Sequence, residues 1–208
     1  MRRLLAILAL VATAFLPVPA TAQTTYKCLG KTATIVGTEE DDGEATNRTL
    51  YGTTGVDVTL GLGSDDIIYG WGRESFTPDE GDFLCGGEGN DSVHGFGGND
   101  EVVGNAGHDT VTGYVGADRL IGGTGPDQVH GGAGHDWLQG GLGNDRVVDT
   151  STGADELYGG EGDDSLDADN AQAVAHKPDF VDGGDGFDVC TVDEEDEVVN
   201  CEDFVLRP

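Results

Sequence analysis

From Gly86 to Asp167 the chain repeats every nine residues, and that period restricts its fold more than any other feature. The blocks read GGEGNDSVH, GFGGNDEVV, GNAGHDTVT, GYVGADRLI, GGTGPDQVH, GGAGHDWLQ and GGLGNDRVV. One extra residue, Asp149, follows, and TSTGADELY and GGEGDDSLD complete the run. The sixth position is Asp in every block: Asp91, Asp100, Asp109, Asp118, Asp127, Asp136, Asp145, Asp155 and Asp164. The fourth is always glycine, through Gly89, Gly98, Gly107, Gly116, Gly125, Gly134, Gly143, Gly153 and Gly162. The eighth is always Val or Leu, from Val93 to Leu166.

Each block divides into two chemistries. The first six residues are glycine-rich and can turn tightly through positive φ with carbonyls pointing inward. The last three alternate outward, inward, outward around one aliphatic residue, which describes a short half-buried strand. Two blocks, about eighteen residues, therefore make one coil of turn, strand, turn, strand. Stacked coils put the aliphatic residues in one thin core and the Asp-bearing turns in two columns along the edges.

Those columns carry an electrostatic problem. Neighbouring turns lie about one sheet spacing apart, roughly 4.8 Å, and a ladder of carboxylates at that spacing repels itself unless positive charge lies between the rungs. Asp carboxylates and turn carbonyls are hard oxygen donors of the kind Ca²⁺ takes in sets of six to eight, whereas Mg²⁺ demands a tight octahedron and keeps its waters. One aliphatic side chain per block is little core for so much ordered glycine. Metal binding and folding are therefore expected to be one event.

The blocks match a G-G-x-G-x-D-x-U-x nonapeptide, and the chain resembles the RTX, or hemolysin-type, calcium-binding repeat family. The resemblance implies an all-β fold, a parallel β-roll (a right-handed β-solenoid) with two short strands per coil. It also implies Ca²⁺ held between turns two blocks apart, by sixth-position carboxylates and main-chain carbonyls. Carried onto this sequence, one edge pairs Asp91 with Asp109, Asp109 with Asp127 and Asp127 with Asp145. The other pairs Asp100 with Asp118, Asp118 with Asp136 and Asp136 with Asp155. Asp164 continues the set, and Asp66 and Asp82 extend it upstream. The expected carbonyl donors are the turn glycines Gly87, Gly89, Gly98, Gly107, Gly116, Gly125, Gly134 and Gly143. Nine blocks imply about seven ions.

The flanks read as follows. Residues 1–22 have the form of a cleaved secretory signal: Arg2 and Arg3, an apolar stretch from Leu4 to Leu16, and Ala20-Thr21-Ala22 before Gln23. The alternative, an uncleaved anchor, is disfavoured because the apolar run is short for a spanning helix and ends at Pro17 and Pro19. Better-known members of the family leave through a dedicated exporter with an uncleaved C-terminal signal, so this start departs from the family pattern. Residues 23–85 read as an N-terminal cap and degenerate repeats. Asp66 with Ile68, Asp57 with an inward Thr59, a loose block from Gly37 with Asp42, and one resuming at Asp82 all belong there. Thr34-Ile35-Val36 is expected to cover the open end of the stack. After the regular roll at 86–167, residues 168–208 form a loop, a last repeat and a C-terminal cap. Within them, 168–182 read as a loop or short helical excursion and 193–197 as a solvated acidic turn. Val198-Val199-Asn200-Cys201 reads as a closing strand.

Four cysteines, Cys28, Cys85, Cys190 and Cys201, flank the roll. An even count in an exported chain favours disulfides. Three pairings are possible, and Cys28–Cys85 with Cys190–Cys201 is chosen because each would staple one end cap. No CxxC or Cys/His spacing suggests zinc.

The formal net charge of −30 argues against nucleic acid and anionic membrane surfaces as partners. No HExxH helix, GxSxG elbow or EF-hand loop is present, and no catalytic residue is assigned. The five histidines read as structural or incidental, and Asn47-Arg48-Thr49 is a glycosylation sequon only in form. On the outward rows, Val103, Ile121 and Tyr158 form an apolar column beside Arg119 and Trp137. Ordinary β-propensity explains such a column, and a docking face for a partner or a second copy is the sharper alternative.

These features describe a secreted, extracellular calcium-binding protein whose repeats fold on binding and act as a structural or binding module without enzymatic activity. The alternatives are an accessory or remnant of a polysaccharide-acting or hydrolytic enzyme, and a surface-adhesion solenoid. The mixed chemistry of the outward columns does not supply the flat Thr ladder that an adhesion solenoid would use.

Overall fold

The computed structural model describes residues 27–37, 49–71, 80–170 and 177–207. The signal-like segment, Asp42 and the Asn47 sequon lie outside the described residues. Alternation of turn and strand produces two nine-stranded parallel sheets. Successive strands go to opposite sheets, so Glu101–Ala106, Arg119–Thr124, Trp137–Leu142 and Glu156–Glu161 pair in one. Ser92–Gly97, Thr110–Gly116, Gln128–Gly134 and Arg146–Val148 pair in the other. The protein is a parallel β-solenoid, and no helix occurs among the described residues.

The period of nine explains the register. Val102, Leu120, Leu138, Leu157 and Val181 stand opposite one another along the first sheet. Val93, Val111, Val129, Val147, Leu166 and Cys190 do so along the second. All are almost wholly buried and together form one narrow core. Each strand contributes one inward aliphatic side chain because its neighbours on either side point out of the pleat.

The roll extends further than its regular blocks. Ile35–Val36 begins the first sheet and Leu50–Tyr51 the second. Downstream, the expected loop or helical excursion at 168–182 is corrected over its described second half. Phe180–Asp185 is a ladder strand with Val181 inward, so Asp179-Phe180-Val181 is a tenth turn-and-strand unit reached after an insertion. The expected closing strand is also shorter. Glu197–Val199 ends the first sheet, and a further strand, Asp203–Arg207, ends the second with Phe204 and Leu206 exposed.

The two disulfides, Cys28–Cys85 and Cys190–Cys201, lie near the two ends and do different jobs. Cys190 is an inward residue of the last core layers, so its bond to Cys201 closes the core from the end. Cys85 follows the inward Leu84 and faces out. Its bond pins the hairpin Lys27–Cys28/Lys31–Thr32 across the outer face of the first coils, over Val58, Leu60 and Phe83. Lys31 Nζ lies 4.0 Å above the Phe83 ring. This disulfide is a side clip, not a plug.

On the outer face of the first sheet, Arg119 stacks 4.1 Å over Trp137. Val103 and Ile121 are register neighbours, but Val103 is buried and Gln139 separates Ile121 from Tyr158. Tyr158 packs instead against Trp137 and Phe180. A second aromatic file, Tyr51, Tyr69, His94, Phe96 and Tyr114, runs along the other sheet, where Phe96 and Tyr114 stack with centroids 4.9 Å apart. Both rings sit at second turn positions with φ of 78° and 79°, a conformation that L side chains rarely adopt.

Candidate metal centre

The sixth-position aspartates stand in two files, one along each edge. One file is Asp66, Asp91, Asp109, Asp127, Asp145, Asp164 and Asp188, and the other is Asp57, Asp82, Asp100, Asp118, Asp136, Asp155 and Asp179. Within each file every aspartate after the first does the same thing. Its Oδ1 accepts the backbone N–H of the aspartate one coil earlier, at 2.7 or 2.8 Å throughout. The side chains are buried.

The second carboxylate oxygen points into the turn. In Asp91, Asp109, Asp118, Asp127, Asp145, Asp155, Asp164 and Asp188, Oδ2 is buried and meets no hydrogen-bond donor. A buried oxygen in that state costs free energy unless something positive or hydrogen-bearing reaches it. The cradle around it is defined by the first glycine of the block. A Cβ added to Gly122 would stand 2.7 Å from Asp127 Oδ2 and 2.7 Å from the carbonyl oxygen of Gly140. Gly86, Gly104 and Gly140 show the same pair of oxygens, a carboxylate from their own block and the carbonyl of the next coil's first glycine. In these regular turns a carboxylate and a carbonyl oxygen therefore converge on the first glycine and leave no room for a side chain.

The ends of one file supply the comparison that the centre lacks. Asp57 Oδ2 accepts from the N–H and hydroxyl of Thr53, the latter at 2.9 Å. Asp179 Oδ2 accepts from the Asn170 amide at 3.0 Å. Where the regular turn is lost, a protein donor serves the second oxygen. At Asp91, Asp109, Asp118, Asp127, Asp145 and Asp164, inside the regular turns, none does.

Burial has the expected electrostatic effect on carboxylates stacked without a counter-charge. Desolvation is the largest cause throughout and pushes Asp109, Asp118 and Asp164 up to about 6 from an ordinary 3.8. It pushes Asp91, Asp127 and Asp155 to about 7, and Asp136 and Asp179 to about 8. Neighbouring aspartates in the same file add to the rise, and the backbone N–H bond to Oδ1 opposes it. The fit to a hard dication is direct: buried anionic oxygen beside carbonyl oxygen.

The turn glycines at the second and fourth positions behave differently. Gly89, Gly98, Gly107, Gly116 and Gly125 direct their carbonyl oxygens at the fourth-position glycine of the following coil, from Gly107 to Gly143. Gly134 and Gly143 continue this stack towards Gly153 and Gly162, and Gly87 sits against the carbonyl of Leu62. At Gly116, φ is 153° and a Cβ would collide with Gly98 O, so only glycine fits. The carbonyls that meet the first-position glycines beside Oδ2 belong to the first-position glycines of the next coil, a set the expected donors did not include.

Residues 79–111, 112–147 and 147–171 match the model of the RTX calcium-binding nonapeptide repeat, in four copies. Residues 79–171 are RTX calcium-binding repeats. No curated protein matches the chain. The RTX segment contains Asp91, Asp109, Asp118, Asp127, Asp145, Asp155 and Asp164, whose Oδ2 meets no donor, and the RTX repeats sit in a β-solenoid as a calcium-binding structural module.

Several features of the RTX stack escaped the motif. Asp179 carries the ladder although residues 168–178 separate it from the last regular block, and the signal was the string Asp179-Phe180-Val181-Asp182-Gly183-Gly184. The turn at 193–197, expected to be merely solvated, has a defined role: Asp196 Oδ1 accepts from Asp179 N at 2.9 Å. Glu202 Oε2 does the same for Asp188 N at 2.9 Å. At the fifth position, Asn90 Oδ1 accepts from His108 N and Asn99 Oδ1 from Ala117 N. That column forms a second, outer ladder.

Proposed function

We propose that the chain is exported and folds into its β-roll when calcium occupies the two aspartate files, and that it serves outside the cell as a structural or binding module, not as a catalyst. The single observation behind this reading is the contrast in Oδ2: donors at Asp57 and Asp179, none at Asp91, Asp109, Asp118, Asp127, Asp145, Asp155 and Asp164. The ligand set is the sixth-position carboxylates from Asp66 to Asp164, together with turn carbonyls. Calcium, when bound, supplies positive charge and a demand for six to eight oxygens. The protein supplies an oxygen-lined turn at each coil, and its Oδ1 bonds hold each carboxylate at a fixed height. Export is supported by the two disulfides and by the basic, apolar, small-residue order of residues 1–22.

Far-UV circular dichroism during Ca²⁺ titration of the metal-stripped chain, with Mg²⁺ alongside, tests the proposal. A cooperative gain of β signal with Ca²⁺ and little response to Mg²⁺ is expected. A chain fully folded without metal, with no further change on adding Ca²⁺, would overturn folding on binding.

A further inference from the structure

In the regular coils the first turn position is glycine because the block's own carboxylate fills the space that a side chain would need. A Cβ on Gly113 would collide with Asp118 Oδ2. Residue 149 breaks that rule. It takes the place in the ladder one coil after Gly131, with its N–H donating to Asp167 O at 2.8 Å, yet it is an aspartate and 2% exposed. Room for it comes from the turn, which is one residue longer than the others. The step from Asp136 to Asp155 is 19 residues where the step from Asp118 to Asp136 is 18.

The extra carboxylate reaches back into the preceding turn, where a Cβ on Gly131 would strike Asp149 Oδ2. Its oxygens are held from both sides: Oδ1 accepts from Ser151 N at 2.9 Å and Oδ2 from Gly132 N at 3.2 Å. One carboxylate oxygen each from Asp136, Asp149 and Asp155 lies within 4.8 Å of the other two, and all three side chains are buried. Asp155 is 1% exposed, and no donor stands in hydrogen-bonding geometry to its Oδ2, with the Ser151 side chain and Lys177 as the nearby groups that favour its charged form. The next rung, Asp179, is already closed by Asn170.

We propose that Asp136, Asp149 and Asp155 form a three-carboxylate cation site, unlike the regular rungs, that takes hard oxygen-seeking cations more tightly than the rest of the roll. Ligand charge is one of the levers that set affinity in calcium sites, and this rung carries one more anionic group than its neighbours. The inference rests on the reading that the files bind calcium, and it assigns one rung a character of its own.

Tb³⁺ is the probe, since three carboxylates match its charge and its emission is sensitised by a nearby tryptophan. Trp137 adjoins Asp136 in the chain. In the full chain at saturating Ca²⁺, the earliest Tb³⁺ signal excited through tryptophan is expected to come from this rung and to vanish in Trp137→Phe. Asp149→Asn should raise the Tb³⁺ concentration for half-maximal emission by about ten-fold. Asp149→Gly, which restores the glycine found at Gly131, should do the same if the asparagine variant folds poorly. Superimposable titrations of wild type and folded Asp149 variants would overturn the inference while leaving Ca²⁺-driven folding intact. An early signal that persists in Trp137→Phe would also overturn it. A chain that shows neither Ca²⁺-driven folding nor Tb³⁺ emission would overturn the calcium reading of both files as well.

Discussion

The backbone N–H of Asp109 donates to Oδ1 of Asp127 at 2.7 Å, across the gap between consecutive coils. One oxygen of Asp127 thus satisfies a buried amide of the coil before it, and the other is left facing the turn. The two oxygens can be separated by mutation. Asp127→Asn keeps an acceptor at Oδ1 and removes the charge. The Ca²⁺ midpoint should rise while the fully loaded fold stays the same. Asp127→Ala also strands the Asp109 N–H, which adds a loss of about 1–3 kcal/mol. Calcium-titrated circular dichroism and urea unfolding at saturating Ca²⁺ distinguish these effects.

Gly122→Ala tests the cradle without touching a carboxylate. Its Cβ would stand 2.7 Å from both Asp127 Oδ2 and Gly140 O, where both oxygens must shift. Overpacking of this kind costs about 1–3 kcal/mol. The variant should lose one Ca²⁺ equivalent by isothermal titration. A stoichiometry equal to wild type would show that the space holds no ion.

Acidity should act on the metal-free and loaded chains in opposite directions. Folded-state carboxyls raised to between about 6 and about 8 bind protons that the unfolded chain has already released. Stability of the metal-free fold therefore falls as pH rises from about 4 to about 8, because the charged form is penalised only in the fold. In metal-stripped buffer the β signal should be greater near pH 5 than near pH 8. Protons compete with calcium for the same oxygens, so the Ca²⁺ midpoint should move to higher concentration as pH falls from about 8 to about 6.

Loss of the disulfides should be graded by loop length. Cys28–Cys85 joins residues 57 apart and Cys190–Cys201 residues 11 apart. Chain entropy assigns them about 4 and about 3 kcal/mol. Paired Cys→Ser variants, unfolded in urea at saturating Ca²⁺, measure both. The Cys190/Cys201 variant should also admit solvent to the last core layer, seen as faster amide exchange at Val181 and Leu166.

Most of the roll was legible because one period controls turn, strand and core together. The inward column from Val93 to Leu166 and the opposition of Arg119 to Trp137 follow from counting in nines. What escaped lies where the count stops. Asp179 resumes the ladder after an insertion, and insertion length carries no phase. Asp196 and Glu202 serve as acceptors from outside the motif, and a lone carboxylate in an acidic tail looks solvated until the amide it meets is known. Cys85 pairs with Cys28 near one end as expected, and only its direction escaped. Its ninth position, one beyond the inward Leu84, already implied that it faces outward. Asp149 looked like an irregularity between blocks, although it occupies a ladder position otherwise held by glycine.

The backward reach of every Oδ1 gives the stack a polarity. The buried amide of each aspartate is satisfied by the coil that follows it, and at the far end Asp196 and Glu202 perform that service without a further repeat. The C-terminal rung is thus self-sufficient, while each earlier one needs a finished neighbour downstream. Assembly from the C-terminal rung toward the N-terminus gives each aspartate amide its carboxylate at once, whereas the amides that follow them, such as Thr110 N to Asp91 O, point the other way and hold each coil to the one before it.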